Sequence, residues 1–210
     1  MTGIINFETF LAAGILLNLT PGNDTIFILS KSLAGGKKAG YMSALGIGTG
    51  SLLHTTFAAF GLSIIIARSI LVFNIIKYAG AAYLLYLGYR MFTDRSAITN
   101  QVHSRIKVSY IKIYREAVLT NLLNPKVALF FIAFLPQFID PSATDTILPF
   151  LLLGITFTFT GTAWCLVLAA FASAIFSRLK ENKKLAAYIN KACGLMLVAL
   201  GIKVALTSRK

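Results

Sequence analysis

Long runs of apolar residues, separated by short basic segments, constrain this chain more than any other feature. Of its 210 residues, 57% are hydrophobic and 13% are charged, whereas an ordinary soluble domain has roughly 45–50% and about 25%. A soluble fold of this size cannot keep so much apolar surface away from water, but a lipid bilayer accepts it. The sequence therefore predicts an all-α membrane protein.

Six segments are long and apolar enough to span a bilayer, which takes about 20 residues. These predicted spans cover approximately 6–29, 39–67, 69–89, 116–139, 147–176 and 185–206. The polar stretch 93–114 is interpreted as a cytoplasmic basic linker that joins a first half, 1–92, to a second half, 115–210. We therefore expect six transmembrane helices in two groups of three.

The basic residues are distributed unevenly between the links. The chain has a formal net charge of +13, and its Lys and Arg fall in short clusters between apolar runs, a pattern that disfavours nucleic-acid binding. Thirteen of them lie in the links after the first, third and fifth spans, against three in the other links and the C-terminus. The positive-inside rule then places both termini outside the cytoplasm. The N-terminus lacks a basic n-region, so no cleavable signal peptide is predicted.

The two halves resemble each other in sequence. Three pairs of short stretches recur in the same order: 17–21 with 121–125, 45–47 with 153–155, and 77–80 with 191–194. Each half holds three spans, an odd number, so the second half must enter the membrane from the opposite side. This predicts two inverted three-helix repeats, an arrangement typical of secondary transporters.

The first and fourth spans are each interrupted near the middle, by Pro21-Gly22 and by Asn124-Pro125. A proline removes a backbone donor, and the groups that it frees need other partners in lipid. Paired breaks of this kind form substrate sites in transporters. We therefore expect Asn18 and Asn121 to lie at a substrate site, where they bind either substrate or freed backbone groups.

Two charged residues adjoin these breaks. Asp24 is the carboxylate that lies deepest within a predicted span, where a charge costs roughly 2.5–3.5 kcal/mol. We expect Asp24 to face a central cavity near Lys126 and to bind a substrate ammonium or a proton; a structural Asp24–Lys126 pair is the alternative. His54 is a second candidate for proton coupling, because imidazole titrates near neutral pH, or it hydrogen-bonds a neighbouring helix.

Two further features of the second and fifth spans point to structural roles. Gly46 and Gly50 form a small-xxx-small pair, which favours close helix packing. Trp164 is either an anchor at the membrane interface or lies too deep in its span for that role.

The residues at the breaks resemble the motifs of a known family. The stretch NLTPGND at 18–24 is similar to the proline-glycine-proline-aspartate motif of the lysine exporter (LysE/RhtB) family. The stretch NLLNPK at 121–126, followed by 130–131 and 135–138, resembles the family's asparagine-proline-lysine signature, and 80–88 resembles its third helix. The likeness covers nearly the whole chain. One departure is Asn23, where the family motif commonly has a second proline.

The resemblance implies a secondary transporter of the bacterial inner membrane that exports an amino acid or a close derivative by proton antiport. Its expected partners are the substrate, the proton gradient and the lipid bilayer, and a homodimer is open to so small a bundle. No enzymatic activity, cofactor or metal site is predicted.

Two alternative functions stay open. An inorganic cation exporter would need several carboxylates within the spans, which the sequence lacks. A membrane thiol-redox carrier would need Cys165 and Cys193 close together and accessible.

Overall fold

The computed structural model describes residues 3–62, 70–93, 109–140, 143, 146–181 and 183–206. Within these ranges the chain is helical and forms no β-strand. The helices are α1 (Phe7–Leu19), α2 (Asn23–Phe57), α3 (Ile70–Thr93), α4 (Tyr110–Leu122), α5 (Pro125–Leu129), α6 (Leu148–Glu181) and α7 (Lys183–Leu206). Helix α2 continues as a π-helical turn, Ala58–Leu62, and α5 continues as a π-helical turn, Phe130–Phe134, and a 3₁₀ turn, Leu135–Phe138.

The first predicted span is broken where the sequence places its proline. Helix α1 ends at Leu19, Thr20 to Gly22 are non-helical, and α2 begins at Asn23. The predicted link between the first two spans is not a loop, because α2 continues through it with a kink at Gly36. Gly36 has φ 78°, a left-handed conformation that a glycine adopts without steric cost.

The fourth predicted span is also broken at its proline. Helices α4 and α5 are separated by Leu123 and Asn124, and the segment that continues to Phe138 is bent by 47° from α4. The regular helix of the second part ends at Leu129, and Pro136, which lacks an N–H, lies in the 3₁₀ turn further on. The wider π turn and the tighter 3₁₀ turn occupy this region.

The two broken segments lie side by side and run in opposite directions. At one end, Ile4 and Ile139 form a single antiparallel bridge. At the other end, Lys31 Nζ donates to Glu116 Oε2 at 2.7 Å. The start of the first segment therefore meets the end of the second, and the two breaks lie between these contacts.

The remaining helices pack in pairs around the broken segments. Helix α2 lies along both α4 and α6, α3 lies along α7, and α1 contacts α6. Glycines allow the closest approaches: a side chain on Gly46 would place its Cβ 2.6 Å from that of Ala117, and one on Gly50 would place it 2.8 Å from that of Asn121. Small residues are a usual means of close helix contact in membranes.

An aromatic cluster fills the core beside the second break. Phe130 stacks on Phe157 with ring centroids 4.2 Å apart and contacts Phe10 at 5.9 Å. Phe131 and Phe134 are fully buried in the same cluster. These rings pack α1, the π turn after α5 and α6 against one another around the breaks.

The outer surface is apolar, in keeping with a lipid environment. Large hydrophobic side chains such as Phe57, Leu123 and Phe159 are more than half exposed. By length and hydropathy, the stretch Leu148–Ile175 can cross a bilayer alone, and α4 with Pro125–Phe138 can do so as a bent pair. Helix α1 is apolar but shorter than a full span. The six transmembrane spans therefore stay a prediction.

Parts of the sequence interpretation fall outside the described residues. These are most of the 93–114 linker, and Arg68, Arg209 and Lys210 of the charge comparison.

We predict that Gly46→Ala destabilises the protein by about 1–3 kcal/mol, the usual cost of overpacking a tight contact. The added Cβ would lie 2.5 Å from the Tyr114 carbonyl oxygen, so α2 and α4 must separate. Thermal unfolding of the purified variants in detergent measures the effect. Gly61→Ala is the control, since nothing lies within 4 Å of its Cβ position, and an equal loss of stability in both variants would contradict the packing argument.

Candidate functional site

A narrow cavity lies where the two broken segments meet. The space open to the centre of a water molecule is about 40 Å³, which is room for roughly three waters. The walls come from the end of α1, two parts of α2, the end of α4, the start of α5 and one face of α6. The lining residues are Leu17, Asn18, Asp24, Thr25, Ile47, Gly48, Ser51, Asn121, Lys126, Val127, Phe157, Thr158, Gly161, Thr162, Trp164 and Cys165.

Lys126 binds the carboxyl end of α1 from across the cavity. Its Nζ donates to the carbonyl oxygen of Thr20 at 2.9 Å and to that of Leu17 at 3.2 Å. The last carbonyls of a helix lack intrahelical donors and carry partial negative charge, which a cation stabilises. Gly22 leaves room for the ammonium, because a Cβ there would lie 3.3 Å from Nζ.

Asp24 lies on the other side of the first break from the α1 end, in the first turn of α2. No side chain caps this end of α2, and its unpaired N–H groups favour a nearby carboxylate. Asn121 Nδ2 donates to Asp24 Oδ2 at 2.9 Å. An ion pair of the described part of the chain joins Lys31 to Glu116. Asp24 and Lys126 line one cavity, and each has its own partners.

Asn124 and Pro125 shape the second break and do not line the cavity. The side chain of Asn124 caps α5, because its Oδ1 accepts from the Lys126 N–H at 3.1 Å. Pro125 occupies the first position of that helix, where the missing N–H has no cost. Pro21 and Gly22 likewise form the first break without lining the cavity.

Asn18 lines the cavity and also bonds α6. Its Nδ2 donates to Thr160 Oγ1 at 3.3 Å and to the Phe157 carbonyl at 3.5 Å. A Cβ on Gly161 would lie 2.9 Å from Asn18 Oδ1. This asparagine therefore fixes the end of α1 against α6.

His54 is buried and lies outside the cavity lining. Its Nε2 is 3.3 Å from the carbonyl oxygen of Asn121, and its ring stacks on Phe131 with centroids 5.6 Å apart. His54 therefore contacts the last turn of α4, just as Lys126 binds the last turn of α1. Asn121 connects it to Asp24.

The sequence interpretation missed the polar faces of α2 and α6. Ser51 and Thr158 hydrogen-bond each other at 2.9 Å across the cavity wall, and Thr162 also lines it. Trp164 also lies at the cavity, a place that the sequence interpretation did not assign to it. The sequence does contain a signal for the polar face of α6: residues 158, 161, 162 and 165 of an uncharged span are spaced so that they share one side of a helix.

Of the two cysteines, Cys165 lies at the cavity. Cys165 is a buried free thiol that lines the cavity. The side chain of Cys193 lies outside the described residues.

Comparison with known proteins identifies the chain. The family model of the LysE type translocator matches residues 15–208. The chain belongs to this family. It is 31% identical over 203 residues to the leucine efflux protein of Salmonella typhimurium and 32% identical to that of Enterobacter sp. (strain 638), with 97% of this chain and 96% of each relative covered. No solved structure gives a significant match.

A further relative is the uncharacterized membrane protein YrhP of Bacillus subtilis, which is 32% identical over 94% of this chain. The resemblance seen in the sequence is thus confirmed. This LysE type translocator is a multi-pass membrane transporter and not an enzyme.

We predict that Lys126→Met lowers both stability and transport. The change leaves the Thr20 carbonyl without this donor, while the Leu17 carbonyl keeps the Thr20 N–H. An unpaired buried group costs about 1–3 kcal/mol. Thermal unfolding and efflux assays on the same preparation measure the two effects. Lys112→Met, an exposed lysine on α4, is the matched control; if both variants unfold and transport like the wild type, Lys126 does not hold the α1 end.

Proposed function

We propose that this translocator exports an amino acid, with leucine as the first candidate, from the cytoplasm through the cavity between the two breaks. One observation carries the proposal: two broken helices meet at a cavity that holds a carboxylate, Asp24, and an ammonium, Lys126. A zwitterion needs partners of both signs. The relatives named leucine efflux proteins support the same class of substrate.

The cavity walls suit an aliphatic amino acid. Beside the two charges they present Ile47, Val127 and Phe157, which offer apolar contact to a branched side chain. Room for about three waters is less than leucine needs, so the described conformer is closed around its site. Transport then requires the walls to separate.

The contacts between α2 and α4 at one end of the bundle favour such a separation. Lys31 and Glu116 form an ion pair whose side chains are 30% and 38% exposed, and Thr49 Oγ1 lies 2.8 Å from Tyr114 OH. Exposed ion pairs contribute only about 0–1 kcal/mol. Breaking this ion pair therefore costs little, and the basic residues around it support a cytoplasmic location for this end.

The inverted arrangement of the halves 1–92 and 115–210, joined by the linker 93–114, belongs to the same proposal. The contacts support it: α2 pairs with α6 and α3 with α7, while α1 contacts α6 and α4 contacts α2. If the two halves are exchanged, the α1–α6 contact becomes the α4–α2 contact. The α2–α6 and α3–α7 contacts map onto themselves. The antiparallel broken segments also support the inverted arrangement. A location in the inner membrane with both termini outside the cytoplasm belongs to the same proposal.

Proton antiport follows if Asp24 binds the substrate ammonium and a proton in turn. Facing the cytoplasm, the carboxylate binds the amino acid; facing outward, a proton replaces it and the substrate leaves. His54, linked to Asp24 through Asn121, is the second proton-coupling candidate.

The test is an efflux assay in cells loaded with a panel of labelled amino acids. We expect expression of the wild type to accelerate leucine efflux at least several-fold, and a protonophore to remove most of that gain. Asp24→Asn should abolish both the efflux and its response to the gradient, because the variant cannot exchange a charge. Glu8→Gln, which alters an exposed carboxylate on α1, is the control.

Two results would reject parts of this proposal. Full-rate, gradient-dependent efflux by Asp24→Asn would exclude Asp24 from coupling. Failure of every amino acid in the panel to leave faster would exclude amino-acid export.

A further inference from the structure

Five buried side-chain polar atoms in the described part of the chain have no hydrogen-bond partner. Three of them belong to residues that line the cavity: Asp24 Oδ1, Asn121 Oδ1 and Trp164 Nε1. Buried polar atoms are nearly always partnered, because leaving one unpaired is costly. Their concentration at one cavity indicates that a molecule that enters it supplies the missing partners.

Two of the three atoms are acceptors. Asn121 Nδ2 donates to Asp24 Oδ2, and a carboxylate can only accept, so the amide oxygen of Asn121 faces away from that bond. Asn121 is 2% exposed, so its amide oxygen cannot find a hydrogen-bond donor in bulk solvent. A carboxylate oxygen and an amide oxygen together are suited to a primary ammonium group.

The third atom, on Trp164, is a donor. An indole N–H cannot accept a hydrogen bond, so its missing partner must be an acceptor. The surroundings are electropositive: Lys126 and the first turn of α2, which no side chain caps, lie at the same cavity. These groups together favour a carboxylate over a neutral acceptor.

We infer that the cavity binds its amino acid in one fixed orientation, with the α-ammonium on Asp24 and Asn121 and the α-carboxylate on the indole N–H of Trp164. The inference rests on the proposed function and extends it, since it assigns Trp164 to substrate selection. The substrate class is then α-amino acids with both groups free. Amino-acid amides, which lack the carboxylate, and des-amino acids, which lack the ammonium, bind weakly.

The chain provides its own probe for this binding. Trp164 is its single tryptophan, so the intrinsic emission of the purified full-length protein reports on the cavity. We expect L-leucine to change this emission saturably. Leucinamide and 4-methylpentanoate should each need about tenfold higher concentration or more, as expected for loss of one charge-assisted hydrogen bond.

Variants separate a binding role from a packing role. Binding of labelled leucine, with the two analogues as competitors, is measured for Trp164→Phe, Asp24→Asn and Phe159→Leu. Trp164→Phe should weaken leucine about tenfold and leave leucinamide nearly unchanged, so that the preference for a free carboxylate is lost. Asp24→Asn should instead lose the preference for leucine over 4-methylpentanoate. Phe159→Leu, which alters a side chain on α6 that is 75% exposed, should retain both preferences.

Each other outcome has a defined meaning. If Trp164→Phe weakens leucine and leucinamide by the same factor, Trp164 packs the cavity and does not select the carboxylate. If leucine binds and the preference for it survives Trp164→Phe, water partners the indole, and the inference is wrong while amino-acid export stands. If neither leucine nor any other amino acid of the efflux panel binds, the proposed function itself fails.

Discussion

The fold depends on how two interrupted helices satisfy their freed backbone groups in a medium without water. Lipid offers no hydrogen bonds, so each carbonyl and N–H at a break needs a partner within the protein. At the first break, Lys126 donates to the carbonyls of Leu17 and Thr20. At the second, the Asn121 carbonyl lies within hydrogen-bond distance of His54 Nε2, and the side chain of Asn124 caps α5. At each break a side chain from elsewhere in the chain, Lys126 or His54, lies against a helix end, which ties the two segments to their neighbours.

The sequence predicted the features that follow from backbone chemistry. Pro21 and Pro125 lack an N–H, and the structure breaks its helices beside both of them. Asp24 and Lys126 were expected at one cavity because a charge within a span needs a reason to be there, and both line it. These inferences needed only local residue types and the properties of the bilayer.

What the sequence did not predict depends on tertiary contacts. The sequence does not distinguish Gly35 from Gly36, yet it is Gly36 that adopts the left-handed conformation that kinks α2. Lys126 was expected near Asp24, but its bonds to the carbonyls of α1 were not predicted. Trp164 carries no local signal that separates an interfacial position from a place at the cavity. For Lys126 the deciding partners lie 109 and 106 residues away in the chain.

The placement of the two charges at opposite ends of the first break supports the proposal of a dipolar substrate. Here the ammonium interacts with the negative end of α1, while the carboxylate lies at the positive end of α2. The broken helix therefore partly compensates both charges, while one carboxylate oxygen of Asp24 stays unpaired. In the proposed function, a molecule with both charges of its own enters between them.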